Sequence, residues 1–444
     1  MSKITAVPTA QQLAYADAEV GAFFHYDIEV FQPEWWDAFS LWASGKGPRP
    51  ARVDLNKFNP RALDTDQWIE AAVAAGATYA LLTTKHNTGF SLWPTAVYDY
   101  SVRNTPWRNG KGDIVADFVA SCHRYGVKPG IYYSTATNFL YDVLSGNYVD
   151  TFAPDAVQAF NAVVLQQCTE LWGNYGELFE HWFDGNPVPP SKGGPDLLPV
   201  LQRLQPNMIG WSGPEGMINR SRLLYNEQGF CMPDCWSIDG RDTSSLAGEN
   251  GTYKCAGDPD GTIWSHAEAT LTTRYQHLAY VGGWFWRACE DDMVADPDYL
   301  FARYCDTVGR NANLLLNLTP DDRGLIPDAD VRAVTGLGHL VRERLGTPLA
   351  ETTGAGLEIT LTLPEARKIE RIILMEDQSQ GHRVREWTVE GRSVWGGWWP
   401  MASGQCIGHK RILSINQFVA REIRLRITQA VGEPVIRRFA VFGE

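Results

Sequence analysis

The sequence from residue 20 to about residue 340 alternates short β-rich runs with longer stretches of helical pattern. Repeated strand–helix units of this kind predict a parallel sheet, because parallel strands need crossover connections. About eight such units fit into this length, the number that closes a barrel. We therefore predict an α/β fold, with a (β/α)8-like TIM barrel in residues 1–345.

The individual elements follow from local pattern. Strands are predicted at 21–25, 77–84, 127–134, 178–183, 208–211, 282–286 and 313–318. Helices are predicted at 64–75, 114–125, 154–172, 197–204, 268–280 and 328–345, with Asp64 as the N-cap of the first. The stretch 212–262 is rich in Gly, Pro, Asp and Ser, and it is expected to form long loops over the barrel mouth, where such loops are usually functional.

After residue 346 the pattern changes to period-two alternation, which is typical of half-buried strands. Short strands are predicted at 357–363, 368–375, 386–390, 411–415 and 422–427. They predict a C-terminal antiparallel β-sandwich in residues 346–444. A chain of 444 residues is too long for one ordinary core, so two domains are expected.

Composition excludes several classes of function. The net charge of −13 argues against a nucleic-acid partner, and no apolar run approaches the length that spans a membrane. The N-terminus has no apolar signal core, so the chain is expected to be cytoplasmic, or exported after removal of a signal peptide. The eight cysteines form no metal-type CxxC pair, and Cys231 and Cys235 are interpreted as free thiols.

The carboxylate Asp184 ends an apolar strand-like run and is followed at once by Gly185. Burying a charge next to Trp182 and Phe183 is costly unless the charge is paired or hydrogen-bonded. Barrels collect their reactive groups at the carboxyl ends of the strands. Asp184 is therefore a candidate nucleophile, and the alternative is that it only caps a following helix.

Several short segments, in order and spacing, resemble the α-L-fucosidases of glycoside hydrolase family 29. They are residues 23–25, 34–36, 58–60, 85–94, 130–134, 182–185, 225–227, 283–286 and 308–317. The Asn226-Glu227 pair is more similar to the branch that acts on α-1,3- and α-1,4-linked fucose. The C-terminal part resembles the discoidin-type, galactose-binding-like domain through residues 371–377, 381–384 and 408–413.

The resemblance implies a retaining exo-glycosidase with two carboxyl groups, one attacking C1 and one protonating the departing oxygen. It places the nucleophile at Asp184 and the acid/base at Glu227, on a loop 43 residues later. Glu268, expected to open a helix, is the main rival for the acid/base role. Glu215 is interpreted as a loop carboxylate.

The resemblance also implies a sugar pocket at the barrel mouth, with imidazole and carboxylate groups for hydroxyls and an apolar patch for the fucose methyl. The residues expected to bind substrate are His25, Glu34, Trp35, His86, Asn87, Tyr133, Trp182, Glu268 and Trp286. Arg310 and Asn317 are interpreted as structural. No metal and no cofactor are implied. The expected partner is a fucosylated oligosaccharide or small-molecule substrate, and homo-oligomerisation is left open.

Two departures from the family pattern affect the expected specificity. Asn87 replaces the second histidine of the usual Lys-His-His-Asp-Gly-Phe, and Arg287 stands where the branch often has histidine. Asn87 can hydrogen-bond a hydroxyl but cannot carry charge. Two alternatives therefore remain: an α-L-galactosidase or related exo-glycosidase of the same fold, and a non-catalytic glycan-binding protein.

Overall fold

The first part of the chain forms a closed barrel of parallel strands. The computed structural model describes residues 6–224, 226–240, 256–393 and 395–444. The strands are β1 (Val20–Phe24), β2 (Tyr79–Lys85), β3 (Lys128–Ser134), β4 (Glu180–Asp184), β5 (Ile209–Trp211), β6 (Arg220–Leu223) and, after the antiparallel pair β7 (Ile238–Asp239) and β8 (Ile263–Trp264), β9 (His266–Thr272) and β10 (Ala312–Leu318). The barrel order is β1-β10-β9-β6-β5-β4-β3-β2, so β7 and β8 lie outside it.

Helices cover much of the barrel, but not every crossover contains one. They are α1 (Ala10–Ala18), α2 (Trp35–Ala43), α3 (Thr65–Ala75), α4 (Ile114–Tyr125), α5 (Tyr148–Thr151), α6 (Pro154–Asn174), α7 (Leu198–Leu204), α8 (Pro297–Thr307) and α9 (Asp328–Leu345). Within the described residues, no α-helix lies between β5 and β6 or between β6 and β9. The barrel is therefore only roughly (β/α)8.

Most predicted elements are found close to their predicted bounds. The helices at 114–125 and 328–345 have those bounds, and the Asp64 side chain caps α3 by accepting the N–H groups of Asp66 and Gln67. The predicted strand at 208–211 is β5, one residue shorter.

Two predicted elements are wrong. The predicted helix at 268–280 begins inside strand β9, which is buried along its whole length. Its Ala, Glu and Leu residues favour a helix locally, but pairing with β6 and β10 overrides that preference. The predicted strand at 282–286 is a loop, because Gly282 and Gly283 both adopt positive φ angles, of +68° and +75°.

The stretch 212–262 contains a barrel strand that the sequence did not indicate. Strand β6 is only 4 residues long and lies between segments rich in turn residues. The rest of the described part of this stretch is largely loop, as predicted. Residues 241–255 lie outside the described residues.

Side chains from several elements fill the inside of the barrel. This interior cluster includes Tyr15, Phe23, Tyr79, Tyr132, Trp182 and Trp211. A second and larger apolar core lies between the strands and the surrounding helices. Because both faces of each strand are covered, successive residues on one strand belong to different environments.

The C-terminal part forms an antiparallel sheet with its own apolar core, consistent with the predicted β-sandwich. Its strands are β11 (Ala350–Ala355), β12 (Glu358–Glu376), β13 (Val384–Arg392), β14 (Trp398–Gly404), β15 (Arg411–Ala430) and β16 (Val435–Gly443), in the order β11-β16-β12-β15-β13-β14. Each of the long strands β12 and β15 replaces two predicted strands, because the chain continues through a register shift instead of turning. The galactose-binding-like assignment stays a prediction.

None of the helices among the described residues has both the length and the apolar character that crossing a bilayer requires.

Candidate active site

A cavity of about 190 Å³ lies at the carboxyl ends of the barrel strands. It is lined by Phe23, His25, Trp36, His86, Asn87, Tyr132, Trp182, Asp184, Glu227, Thr270, Val281, Trp284 and Phe285. A larger cavity, of about 530 Å³, lies beside the amino ends of β3 and β4, where barrel enzymes do not place their chemistry. The smaller cavity is the candidate active site because it contains two carboxylates, several aromatic rings and two imidazoles.

Asp184 ends strand β4, with its side chain facing the cavity. Its Oδ2 accepts a hydrogen bond from the Tyr132 hydroxyl at 2.5 Å. Burial raises the pKa of Asp184, while the Tyr132 hydroxyl, the Gly185 N–H and the Lys85 charge lower it. The surrounding groups therefore oppose the effect of burial and favour the carboxylate anion.

Gly185 explains how the chain leaves β4 directly after the aspartate. It adopts a φ of +78°, and an added Cβ would lie 2.6 Å from the Cβ of Ala136. A short 3₁₀ turn occupies Pro190–Lys192, and helix α7 begins only at Leu198. Asp184 therefore does not cap a helix, so that alternative is wrong.

Glu227 lies on the exposed loop that follows β6 and faces the same cavity as Asp184. Its Oε2 accepts hydrogen bonds from Gln276 Nε2 at 3.0 Å and from Trp284 Nε1 at 3.2 Å. Its φ of +51° is unusual for a residue other than glycine, and such strain is concentrated at functional sites. The Asn226 side chain accepts the backbone N–H of Gln228 and stabilises this turn.

Glu268 does not line the cavity. It is fully buried on β9, where Oε2 accepts from the hydroxyls of Tyr15 and Tyr79 at 2.6 and 2.8 Å. Its Oε1 accepts from Trp182 Nε1 at 3.1 Å. Glu268 therefore lies outside the cavity in which it was expected. It holds the indole of Trp182, which does line the cavity.

The side-chain amide of Asn317 holds His25, and two backbone carbonyls fix the orientation of that amide. Asn317 Nδ2 donates to the backbone carbonyls of Gly283 and Trp284, at 3.0 and 3.1 Å. Its Oδ1 therefore faces His25 Nδ1, 2.7 Å away, and can only accept. Burial lowers the pKa of His25 to about 3, so the ring is neutral with its proton on Nδ1. This leaves Nε2 as a hydrogen-bond acceptor.

His86 and Trp182 lie on either side of Tyr132. The His86 ring stacks on the Tyr132 ring with centroids 5.5 Å apart, and Trp182 stacks on its other side at 5.6 Å. Burial, and then the neighbouring His25, lower the pKa of His86 well below its usual value. Both imidazoles are therefore neutral, and neither supplies a positive charge that would stabilise Asp184.

The cavity is lined by Tyr132 and not by Tyr133, which was expected there. The Tyr133 hydroxyl donates to Gln167 Oε1 at 2.8 Å, in the core between the barrel and its helices. On adjacent β4, Trp182 and Asp184 both face the cavity, and Tyr132 is the register partner of Trp182. Side chains alternate along a strand, so the register between β3 and β4 could have identified the tyrosine that faces the cavity.

Three other expected binding residues lie outside the cavity. Trp35 is 2% exposed and donates Nε1 to the Ala51 carbonyl, because it packs inside the first loop, and Trp36 lines the cavity instead. Glu34 is exposed at the start of α2. Trp286 borders a separate cavity, and Trp284 takes its expected place.

Comparisons of sequence and of structure find the same family of proteins. The family model described as alpha-L-fucosidase matches residues 9–344. Alpha-L-fucosidase 1 of Arabidopsis thaliana is 27% identical over 484 residues, covering 99% of this chain and 88% of the plant protein.

Solved structures are similar over both parts of the chain. A crystal structure of a candidate alpha-L-fucosidase from Bacteroides thetaiotaomicron is 32% identical, with a TM-score of 0.90, and 99% of each chain is covered. A glycoside hydrolase 29 family member from a rumen bacterium is 27% identical with a TM-score of 0.81, covering 99% of this chain and 78% of the other.

Proposed function

Because the chain belongs to the alpha-L-fucosidase family, glycoside hydrolase family 29, we propose that it hydrolyses terminal α-linked L-fucose with retention of configuration. In this proposal Asp184 is the nucleophile and Glu227 is the acid/base. The observation that carries it is that both carboxylates face one cavity from different environments, Asp184 half-buried at a strand end and Glu227 exposed on a loop. Two carboxyl groups in different environments suit two different roles.

The first step forms a covalent intermediate. A carboxylate oxygen of Asp184 attacks C1 of the fucosyl group, the bond from C1 to the glycosidic oxygen breaks, and Glu227 gives its proton to that oxygen. The Tyr132 hydroxyl restrains the attacking carboxylate through its bond to Oδ2. The products of this step are the released alcohol and a fucosyl ester of Asp184.

The second step returns the enzyme to its starting state. Glu227, now ionised, takes a proton from water as the water oxygen attacks C1, and the bond to Asp184 breaks. The exposed loop position of Glu227 gives access to water and to the varied alcohols that leave. Gln276 and Trp284 donate to Oε2 and hold this carboxyl group at the rim of the cavity.

The pocket has suitable groups for a deoxy sugar. His25 Nε2 offers an acceptor, and Asn87 adds an amide to the polar side of the cavity. Val281, Trp284 and Phe285 supply an apolar wall, which we assign to the methyl group on C5. The polar groups then meet the three hydroxyls.

We extend the proposal to α-1,3 and α-1,4 linkages. Its support is the Asn226-Glu227 segment, in which Asn226 builds the turn that presents the acid/base. A panel of fucosylated oligosaccharides of α-1,2, α-1,3, α-1,4 and α-1,6 linkage tests this part separately. Faster release from the α-1,2 or α-1,6 compounds would contradict the linkage assignment and leave the activity standing.

The stereochemistry of the first product tests the mechanism. Proton NMR during hydrolysis of 4-nitrophenyl α-L-fucoside should show the α anomer of L-fucose first, before mutarotation. Initial release of the β anomer would show inversion and remove the covalent role of Asp184. Asp184→Asn should abolish turnover, whereas Asp155→Asn, an exposed carboxylate in the first turn of α6, should have no effect.

A further inference from the structure

Three side chains without a step in the proposed reaction converge at the edge of the cavity, and one of them, His86, also lines it. Asp27 and Glu29, which follow β1, and His86, which follows β2, place one potential ligand atom each within 4.8 Å of the others. The three residues are 1%, 5% and 9% exposed, respectively. Two carboxyl groups and an imidazole thus share one enclosed space.

Two polar atoms of this group have no hydrogen-bond partner among the described residues. They are Oε2 of Glu29 and Nδ1 of His86, and both are buried. Buried polar atoms are almost always paired in folded proteins, and a bound ion can take the place of a missing hydrogen-bond partner. Two of the three residues of the cluster thus carry a buried atom without a partner.

The nearby cationic side chains, Lys85 and Arg287, make their hydrogen bonds elsewhere and act on the cluster only through their charge. Lys85 donates its ammonium group to the backbone carbonyls of Ser134 and Thr137. Arg287 stacks on Tyr280 and donates to a backbone carbonyl. Among the described residues, neither Asp27 nor Glu29 forms a salt bridge.

We propose that Asp27, Glu29 and His86 bind one divalent metal ion. Two carboxylates and one imidazole form a mixed oxygen and nitrogen donor set, which suits Zn²⁺ or Mn²⁺ better than Ca²⁺ or Mg²⁺. The ion accepts electron pairs from Glu29 Oε2 and His86 Nδ1, the two atoms without partners, and two carboxylates balance its charge.

The surroundings of Asp27 fit a metal ligand. The Thr88 hydroxyl lies 2.9 and 2.7 Å from its two oxygens, and the Ile28 N–H donates to Oδ1 at 2.6 Å. Such outer contacts orient a carboxylate ligand and fix its position.

Metal binding would also determine which ring nitrogen of His86 carries the proton. An ion on Nδ1 leaves the proton on Nε2, so His86 becomes a donor beside His25, which is an acceptor at Nε2. This consequence for sugar binding rests on the proposed function, but metal binding itself does not.

The test uses untagged protein freed of metal with a chelator, then titrated with ZnCl₂ or MnCl₂ alone. We expect one ion per chain by calorimetry and elemental analysis, and at least about tenfold weaker binding in Glu29→Gln and Asp27→Asn. Asp155→Asn and the inactive Asp184→Asn should bind as the wild type does, which separates this proposal from the catalytic one. Failure of the wild type to bind either ion, or binding that both ligand variants leave unchanged, would overturn the proposal.

A second measurement does not depend on the folding of a variant. Pulsed electron paramagnetic resonance of the wild-type protein with one equivalent of Mn²⁺ should show coupling to an imidazole nitrogen. With ¹⁵N-histidine in the protein, the coupling should change to that of ¹⁵N. A Mn²⁺ signal without any histidine coupling would overturn the site as proposed.

Discussion

The Tyr132 hydroxyl lies 2.5 Å from Oδ2 of Asp184 and donates a hydrogen bond to it. Burial, and then the charge of Asp184, raise the pKa of the Tyr132 hydroxyl well above its usual value, so it stays a donor at any working pH. The same ring stacks between His86 and Trp182. Tyr132 thus contacts the proposed nucleophile and two other residues that line the cavity, His86 and Trp182.

Tyr132→Phe should lower kcat/KM by about ten- to a hundredfold, since a hydrogen bond to a charged group is lost. That bond lowers the pKa of Asp184, so its loss raises the pKa further. The nucleophile must be ionised, and the acid limb of the profile of kcat/KM against pH should therefore move to higher pH.

Tyr133→Phe is the matched control, because Tyr133 bonds to Gln167 on the outer side of the barrel. Its acid limb should stay at the wild-type position. An unchanged limb in Tyr132→Phe would contradict the role assigned to the hydroxyl.

Glu227→Gln should lower kcat/KM on natural fucosides by about 10²- to 10⁴-fold, the usual contribution of an acid/base group. Its melting temperature should hardly change, because the side chain is exposed. In Glu227→Ala, azide should restore part of the rate on an activated aryl fucoside by replacing water in the second step. Rates and melting temperatures measured on the same samples check both points.

Glu268→Gln should affect stability more than catalysis, in contrast to Glu227→Gln. Three buried donors point at this carboxylate, and an amide can satisfy only some of them, at a cost of about 1–3 kcal/mol for each donor left unpaired. The melting temperature should fall, and azide should not rescue Glu268→Ala. Azide rescue of Glu268→Ala but not of Glu227→Ala would move the acid/base to Glu268.

Asn317→Ala should raise KM, because His25 loses the partner that fixes its tautomer. It should also lower kcat, since the Trp284 carbonyl loses its amide donor and the Trp284 indole holds Glu227. Asn313→Ala, on the same strand, removes bonds to Tyr15 and His266 inside the barrel and serves as the control for lost stability alone. Equal KM values in the two variants would argue against the positioning role.

L-galactose differs from L-fucose only by a hydroxyl on C6. The apolar wall of Val281, Trp284 and Phe285 should reject this hydroxyl weakly, by about a hundredfold. Parallel rates on the 4-nitrophenyl α-L-fucoside and α-L-galactoside measure the preference. An equal or faster rate on the galactoside would make α-L-galactosidase the better description.

Secondary structure could be predicted from the sequence where the local pattern favours the same element as the tertiary contacts. Helices such as Ile114–Tyr125 carry both an amphipathic pattern and a cap, and their bounds were predicted. Strand β9 was not predicted, since His266–Thr272 contains good helix formers and its strand form depends on pairing with β6 and β10.

The segments that line the cavity were predicted more reliably than the individual side chains that face it. Asp184 faces the cavity, as its position at the end of a strand predicts. At Tyr132 and Tyr133, and at Trp35 and Trp36, two neighbours of the same type compete, and only the direction of each side chain separates them. Asn317 was interpreted as structural because nothing local shows that it spans from His25 to the loop at 283–284.

The central claim is that Asp184 forms a covalent bond with the sugar, and trapping that bond tests it most directly. A 2-deoxy-2-fluoro-L-fucosyl fluoride reacts in the first step, and its fluorine on C2 slows the second, so the ester accumulates. Peptide mass spectrometry should then find the fluorofucosyl mass on the peptide that contains Asp184, with no label in Asp184→Asn. A label on Glu227, Glu268 or any other carboxylate would contradict the assignment of Asp184 as the nucleophile.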